Sequence, residues 1–471
     1  MPARIPWGRG VTKTNSQIVA VNQDSPRSPE NLNMENRIRL KFDICVIPLA
    51  ALIFLFCFID RSNIGNARLA GLEKELGLVG YDFNSVNTIL YVSYIVFEIP
   101  SNILCKIIGP GWYLLGITIL FGLLTVASAY VNNYSQLAAC RFLLGTAEAG
   151  VMPGSSYYLS RFYRHSELTF RLSLYIVMAP LAGAFGGLLA SSILKMKGFG
   201  SCVPAGSWRA IFVVEGAVTV AIGLKGERLG ATVISDKISR NKMIKGAINP
   251  VTAATSVCFM LCSLSIQGLA LFAPTIVRSI YPDASVARQL LLTVPPYAFG
   301  AVCLLSMCFA SWKLDRRQIL MVSCAPPMMI GYLIFLCTDS RQTTARYAAV
   351  FLMASTSSIL GPLCHTQSSA NVNSDTSRDI SIAICMFFGN IGSLVSTWSF
   401  LPDDAPNCPI GCGLNFATSA LILVTAVWAW AWMRRDNRRR DQVDLHAELA
   451  SFTVTGAEQL DWKRPAFRWR L

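Results

Sequence analysis

Ionisable side chains interrupt several of the apolar runs in this sequence. If these runs span a bilayer, burying such groups costs free energy, and the groups that are present usually have a function. Asp60 and Arg61 end the first run, and Glu98 lies inside the second. Arg141 and Glu148 lie seven residues apart in the fourth run, about two turns along one helix face. A carboxylate inside a membrane can carry the proton of a proton-coupled cycle, or it can form an ion pair that fixes helix packing. The sequence leaves both interpretations open.

The pair Asp60 and Arg61 has two interpretations of its own. The run from Ile44 to Ile59 is apolar, and the sequence turns polar directly after it. Charges at the end of a helix can reach the headgroup region, so the pair can be an interfacial cap. The pair can also form a site at the outer mouth for an anion and its coupling ion. Both interpretations place the end of the first span near residue 59.

The second half of the chain has fewer ionisable groups within its apolar runs, and its polar candidates are His365 and Asn390. An imidazole can relay protons near neutral pH, although a lone buried histidine can equally be a hydrogen-bonded structural group. Together with Asn63 and Asn102 of the first half, these two residues complete the predicted pathway for substrate and protons.

The composition places these groups in a polytopic membrane protein. The 471 residues are 53% hydrophobic and only 14% charged, whereas soluble domains carry about 25% charged residues. The long apolar runs lack the period of two that a membrane barrel requires, so the spans are predicted to be helices. The net charge of +14 fits basic cytoplasmic loops, and nucleic-acid binding is not expected of so hydrophobic a chain.

Catalytic and metal-binding motifs do not appear in the sequence. We find no nucleophile elbow, no phosphate-binding loop and no metal-ligand spacing of cysteines and histidines. We therefore expect neither an enzyme nor a protein with a bound metal or cofactor.

Twelve apolar stretches divide the chain into two sets of six. We predict a disordered cytoplasmic tail at 1–41, an all-α six-helix bundle at 42–224, a cytoplasmic linker at 225–250, a second six-helix bundle at 251–433 and a cytoplasmic tail at 434–471. Six spans, a charged linker and six further spans are the layout of a two-bundle transporter.

The distribution of lysine and arginine predicts which side of the membrane each loop faces. With the N-terminus inside, the predicted inner segments carry roughly three times as many of these residues as the outer loops. Both termini are therefore predicted to be cytoplasmic. The sequon at 133–135 then lies in an outer loop, and Asn133 is predicted to be glycosylated.

A set of motifs spread over the chain from Arg39 onward is specific in combination. They are DRSNIGNA at 60–67, EIPSN at 98–102, RFLLG at 141–145, LAGAFGGL at 181–188, LTVPPY at 292–297 and FRWRL at 467–471. In these motifs the chain resembles the major facilitator superfamily, in its anion:cation symporter branch, and there the fungal nicotinate/allantoate permease group.

The resemblance implies a major facilitator fold of twelve transmembrane helices in two bundles, working by alternating access. It also implies proton-driven uptake of a small organic anion, such as a carboxylate vitamin or a ureide, by a monomer in the plasma membrane. The positions that match the family's functional motifs are Asp60, Arg61, Glu98, Arg141 and Glu148.

Two loops differ in how well they keep the family's gating pattern. The basic loop between spans two and three is reduced to Lys106 and apolar neighbours, whereas its counterpart in the second half retains Asp315, Arg316 and Arg317. We expect these four residues to contribute to gating.

Two other functions remain open at this point. A fold fixes neither the direction of transport nor the substrate, so the chain can also be an exporter of a secondary metabolite. The short central linker, and a sixth span that ends at residues 223–225, also leave open a non-transporting or truncated relative.

Overall fold

The computed structural model describes residues 29–160, 174–195, 208–225, 240–314, 316–339, 342–400, 409–442, 461–464 and 467–470. In these ranges the regular secondary structure is helical, and nine of the described helical segments are long and apolar enough to cross a membrane. Large apolar side chains such as Val96, Ile107 and Val424 are exposed on the outer surface of the helices. Exposed apolar surface of this extent is expected where lipid replaces water.

Helices of the first half pack mainly on one another, with α1 on α7, α3 on α5 and α4 on α8. Their bounds are α1 Pro29–Leu69, α2 Leu72–Leu76, α3 Asp82–Ile108, α4 Pro110–Ser128, α5 Tyr134–Glu148, α6 Val151–Ser160, α7 Met178–Lys195 and α8 Trp208–Lys225. Helices α5 and α6 follow each other closely and together correspond to the predicted fourth span.

The second half forms its own bundle, in which α10 packs on α15 and α13 packs on α14 and α16. The bounds are α9 Arg240–Ala247, α10 Pro250–Ile280, α11 Val286–Leu292, α12 Val294–Leu314, α13 Arg317–Cys337, α14 Thr343–Ala370, α15 Asp375–Ser396 and α16 Pro409–Asp441, followed by a 3-10 turn at Asp461–Lys463. Each of the twelve predicted spans corresponds to one helix or to two consecutive helices, so the predicted fold class is confirmed.

Helix α1 is longer at both ends than the sequence predicted. It begins at Pro29, so residues 29–41, predicted as part of a disordered tail, are helical. Proline is well tolerated in the first turn of a helix, and no further proline or glycine follows before Pro48. The helix also continues past residue 59 to Leu69. Residues 1–28 of the predicted tail and 226–239 of the predicted linker lie outside the described residues.

The two halves are joined by hydrogen bonds at one end of the molecule. The side-chain amide of Asn84 in α3 donates to the carbonyl oxygen of Thr397 at 2.8 Å. The indole of Trp398 donates to the hydroxyl of Thr88 at 2.9 Å. We call this end, at the start of α3 and just after the end of α15, the closed end.

The C-terminal stretches 461–464 and 467–470 fold back onto the second half. The indole of Trp469 donates to Asp436 at 2.6 Å, and the backbone of Arg470 donates to Asn371 at 2.8 Å. Trp469 is 3% exposed and packs against Trp432. These stretches therefore tie the ends of α14 and α16 together.

Replacing Trp469 with Phe is expected to lower the stability of the protein by about 2 kcal/mol, because the partly buried hydrogen bond to the carboxylate of Asp436 is lost. The thermal unfolding of the purified protein in detergent, followed by size exclusion, measures this change. Trp428→Phe is the matched control, since Trp428 lies on α16, the helix that also holds Asp436, but is 57% exposed, and it should leave the unfolding temperature unchanged. Equal unfolding temperatures for both variants would contradict the packing role of these stretches.

Candidate transport site

Two ion pairs join α1 to α5 in the interior of the first half. Arg61 Nε lies 2.8 Å from Glu148 Oε2, and Arg141 Nη1 lies 4.0 Å from Asp60 Oδ2. All four side chains are at most 7% exposed. Consecutive residues of α1 thus face residues two turns apart in α5, so each charge has an opposite charge nearby, as buried charges require.

The interpretation of Asp60 and Arg61 as an interfacial cap at the end of the first span is wrong, whereas their assignment to an outer mouth stays a prediction. Helix α1 runs on for more than two turns beyond them, and both side chains are buried. The fall in hydrophobicity after Ile59 marks a face that packs against protein and not the edge of the membrane. The guanidinium of Arg61 lies 4.5 Å from the ring centre of Tyr94, which adds a cation–π contact.

The polar network extends from α1 to α8 through asparagines. Asn63 donates a short hydrogen bond to Glu215, and Asn66 donates to Asn63 Oδ1 at 3.0 Å. The carboxylate of Glu215 is fully buried, and its contact with Asn63 keeps it within the same cluster as the two ion pairs. Asn63 therefore acts as a bridge between α1 and α8.

Besides the contacts at the closed end, two buried hydrogen bonds cross between the halves among the described residues. The side-chain amide of Asn390 in α15 donates to Glu98 Oε2 in α3 at 2.8 Å. The hydroxyl of Tyr91 in α3 donates to Gln267 Oε1 in α10 at 3.0 Å. The predicted pathway residues Glu98 and Asn390 are thus partners in direct contact between the halves.

A cavity lies between the two halves, and Gln267 forms part of its wall. Its lining combines aromatic and aliphatic side chains with a few polar ones: Phe54, Phe58, Ser62, Met152, Ile176, Pro180, Phe259, Ser263, Ile266, Gln267, Tyr297, Ser357, Ser358 and His365. Of the predicted pathway residues, His365 lines this cavity, whereas Asp60, Arg61, Glu98, Arg141 and Glu148 are not part of the lining.

The surroundings of His365 do not match the hydrogen-bonded structural histidine that the sequence left open as an alternative. Its side chain is 2% exposed, and neither ring nitrogen has a hydrogen-bond partner among the described residues. Its ring centre lies 4.2 Å from that of Phe259, in an edge-on contact. The imidazole is therefore held by an aromatic contact and not by hydrogen bonds of the described part of the chain.

The remaining predicted residues lie away from the cavity. Asn102 is buried in α3, one turn after Glu98, and Lys106 is buried near the end of the same helix. Arg316 precedes α13 and is exposed, and Arg317 begins that helix and is buried. Asp315 lies outside the described residues. Their role in gating stays a prediction.

Asn133 is exposed and caps the start of α5, where its side-chain oxygen accepts a hydrogen bond from the backbone of Gln136 at 2.9 Å. Asparagine is among the preferred residues at this position of a helix, so the cap alone explains its presence. Glycosylation of Asn133 stays a prediction.

Tyr297 was not singled out as a functional residue from the sequence. It belongs to the LTVPPY motif, which marked only the family resemblance, and its side chain lines the cavity from α12. The spacing of Phe54 and Phe58, one turn apart in α1, was a signal for a shared helix face. That spacing cannot distinguish a face that packs in a core from a face that lines a cavity.

Comparison with known proteins agrees with this architecture. The family model for the Major Facilitator Superfamily matches residues 50–397. The high-affinity nicotinic acid transporter of Saccharomyces cerevisiae is 27% identical over 97% of this chain and 89% of its own. The major facilitator-type transporter hxnP of Emericella nidulans is 28% identical over 92% of this chain and 94% of its own.

Solved structures show the same fold at low sequence identity. The Major Facilitator Superfamily transporter FucP in its outward conformation superimposes with a TM-score of 0.59 at 15% identity, covering 81% of this chain and 97% of FucP. A bacterial homologue of the human lysosomal transporter Spinster, inward-facing and occupied, gives a TM-score of 0.56 at 17% identity, covering 82% of this chain and 95% of the homologue. With a family model that spans most of its length, the chain belongs to the Major Facilitator Superfamily, a membrane transporter family and not an enzyme family.

Proposed function

We propose that this protein takes up a small organic anion together with protons, by alternating access between two conformations. The observation that carries the proposal is the hydrogen bond from Asn390 to Glu98, because it sets a titratable group in the contact between the halves. A charged carboxylate accepts a stronger hydrogen bond than a neutral one. The protonation state of Glu98 therefore biases the contact that must break when the halves move apart.

The ion pairs of the first half couple proton binding to anion binding in a second way. Arg61 is compensated by Glu148, so a proton on that carboxylate leaves the guanidinium in need of a negative partner. Phe58 and Ser62, which lie on either side of Arg61 in α1, both line the cavity. An anion in the cavity and a proton on the carboxylate thus favour each other's binding.

The substrate named for one relative supports an organic acid as the substrate of this protein. The similar yeast protein is named a high-affinity nicotinic acid transporter, and nicotinic acid is a small carboxylic acid. On this proposal the protein works as a monomer in the plasma membrane with both termini in the cytoplasm. The closed end then faces outward, the cavity belongs to an inward-facing state, and Lys106, Asp315, Arg316 and Arg317 take part in gating.

Replacing Glu98 with Gln is expected to remove the effect of a pH gradient on uptake, since the amide keeps the size of the side chain but cannot carry the proton. Purified protein in liposomes is assayed for uptake of labelled carboxylates with and without an inward proton gradient. The matched control is Glu73→Gln, which removes a carboxylate paired with Arg68 at 2.6 Å outside the cavity. The control should keep its dependence on the gradient.

Two outcomes of this assay would contradict the proposal. Uptake by the unaltered protein that ignores the pH gradient would rule out proton coupling. In vesicles of known orientation, carboxylate movement that a proton gradient drives only in the outward direction would favour an exporter.

A further inference from the structure

The cavity between the halves has an apolar body and few polar groups that are free to bind a ligand. Phe54 and Phe58 of α1 contribute aromatic surface from the first half, and Phe259 of α10 contributes it from the second. Met152 and Ile266 add aliphatic surface. Such a lining favours a compact, largely apolar molecule over one covered with polar groups.

Several polar groups in the lining already have partners within their own helices. The hydroxyl of Ser357 donates to the carbonyl oxygen of Met353, and that of Ser358 donates to the carbonyl oxygen of Ala354, both at 2.7 Å. These hydroxyls satisfy the backbone of α14 and are poorly placed to distinguish one ligand from another.

Two polar side chains of the second half differ from these serines. Both ring nitrogens of His365 and the hydroxyl of Tyr297 are buried and have no hydrogen-bond partner among the described residues. Both side chains line the same cavity, from α14 and α12. Buried polar groups are hydrogen-bonded in the great majority of cases, so each exception calls for an explanation. A ligand in the cavity supplies one.

We propose that His365 and Tyr297 form the hydrogen-bonding pole of the transport site, and that the site takes a carboxylate with a flat, apolar body. The tyrosine hydroxyl and one imidazole nitrogen are donors, which matches the acceptor oxygens of a carboxylate. The rings of Phe54, Phe58 and Phe259 form the surface against which the apolar body packs. This inference rests on the proposed function only for its assignment of the cavity to transport.

The arrangement assigns different tasks to the two halves. The ion pairs and Glu98 of the first half respond to protons, whereas His365 and Tyr297 of the second half select the substrate. Substrates with polar bodies, such as ureides, leave hydrogen-bonding groups without partners against the aromatic walls, which is costly. The site therefore discriminates by the body of the molecule as well as by its carboxylate.

Binding of radiolabelled benzoate to the purified protein tests this inference without any need for transport. We expect Tyr297→Phe and His365→Leu each to weaken benzoate binding about tenfold, as the loss of one hydrogen bond to a charged group predicts. His365→Gln keeps a donor and an acceptor and should restore part of the affinity. Unlabelled benzoate should displace the label at lower concentrations than unlabelled allantoate.

Tyr347→Phe is the matched control, because its hydroxyl donates to the carbonyl oxygen of Leu292 at 2.9 Å in the same half and the residue is not part of the cavity lining. It should bind benzoate as the unaltered protein does, and thermal unfolding without benzoate checks that each variant is folded. Absence of benzoate binding to the unaltered protein, unchanged affinity in both folded variants, or equal losses in His365→Leu and His365→Gln would overturn the inference. A failure of proton coupling alone would leave benzoate binding intact, so the two proposals are separable.

Discussion

Replacing Arg61 with Gln is expected to abolish proton-driven uptake and to lower the stability of the protein by roughly 3–5 kcal/mol, because Glu148 loses the partner that compensates its buried charge. Glu148 is fully buried, and the partner atom of Arg61 lies 2.8 Å away. Uptake in liposomes and thermal unfolding in detergent measure the two effects separately. The single variant should show no proton-driven uptake and a lower unfolding temperature.

A second substitution distinguishes the structural role of this pair from its transport role. In the double variant Arg61→Gln with Glu148→Gln no charge is left uncompensated, so most of the lost stability should return. Proton-driven uptake should not return, because both the guanidinium and the titratable carboxylate are gone. A double variant that transports normally would show that the pair serves only to pack α1 against α5.

Replacing Gly65 with Val is expected to disfavour the conformation described here and to reduce uptake strongly. A Cβ atom at Gly65 would lie 2.6 Å from the carbonyl oxygen of Leu271, across the contact between the two halves. Overpacking of this kind costs on the order of 2 kcal/mol. That cost lowers the population of the conformation in which the closed end is shut about thirtyfold, relative to a conformation in which the halves separate there. Because only contact between the halves is blocked, each bundle should still fold.

Labelling of a cysteine introduced at Thr397 measures this change in population. Thr397 is 1% exposed at the closed end, so a membrane-impermeant maleimide should reach the cysteine faster when Gly65 is Val. Gly116→Val is the control, since a Cβ placed there has no atom within 4 Å apart from its chain neighbours and the adjacent backbone of its own helix. Equal labelling rates in both variants would mean that the contact at Gly65 does not control opening of the closed end.

The fold could be predicted from the sequence because lipid imposes simple rules on the chain. Long apolar runs must be helices, and their number and the charged segment between the two sets predicted two bundles of six. Each of the three predicted spans that fall outside the nine long apolar helices is interrupted or polar at an identifiable point. The segment α5–α6 is broken near Gly150, α8 carries Arg209, Glu215 and Lys225, and α15 has a polar start.

The ends of the helices were harder to predict, as α1 demonstrates. Hydrophobicity reports whether a residue suits lipid, but Asp60 and Arg61 are surrounded by protein. Their partners in α5 are more than eighty residues away in the chain, and no local pattern records them. The same limit applies to the contact between Glu98 and Asn390, which joins the two halves of the sequence.

The candidate site could be predicted only in part. Ionisable residues in apolar runs stand out, and Arg61, Glu148, Glu98 and His365 were all identified in this way. Tyr297 was not, because an aromatic residue in a membrane helix is ordinary and its unsatisfied hydroxyl becomes evident only from its surroundings. The sequence could name the charged residues, whereas the division of the cavity into polar pole and aromatic walls required the packing of the helices.

The most direct test of proton-coupled uptake follows the protons themselves. Purified protein is placed in liposomes that contain a trapped pH-sensitive dye, with equal pH on both sides, and a carboxylate that the protein binds is added outside. Coupled uptake predicts that the interior acidifies as the carboxylate enters, and that the Glu98→Gln variant gives no such change. Entry of the carboxylate through the unaltered protein with a constant interior pH would contradict the account.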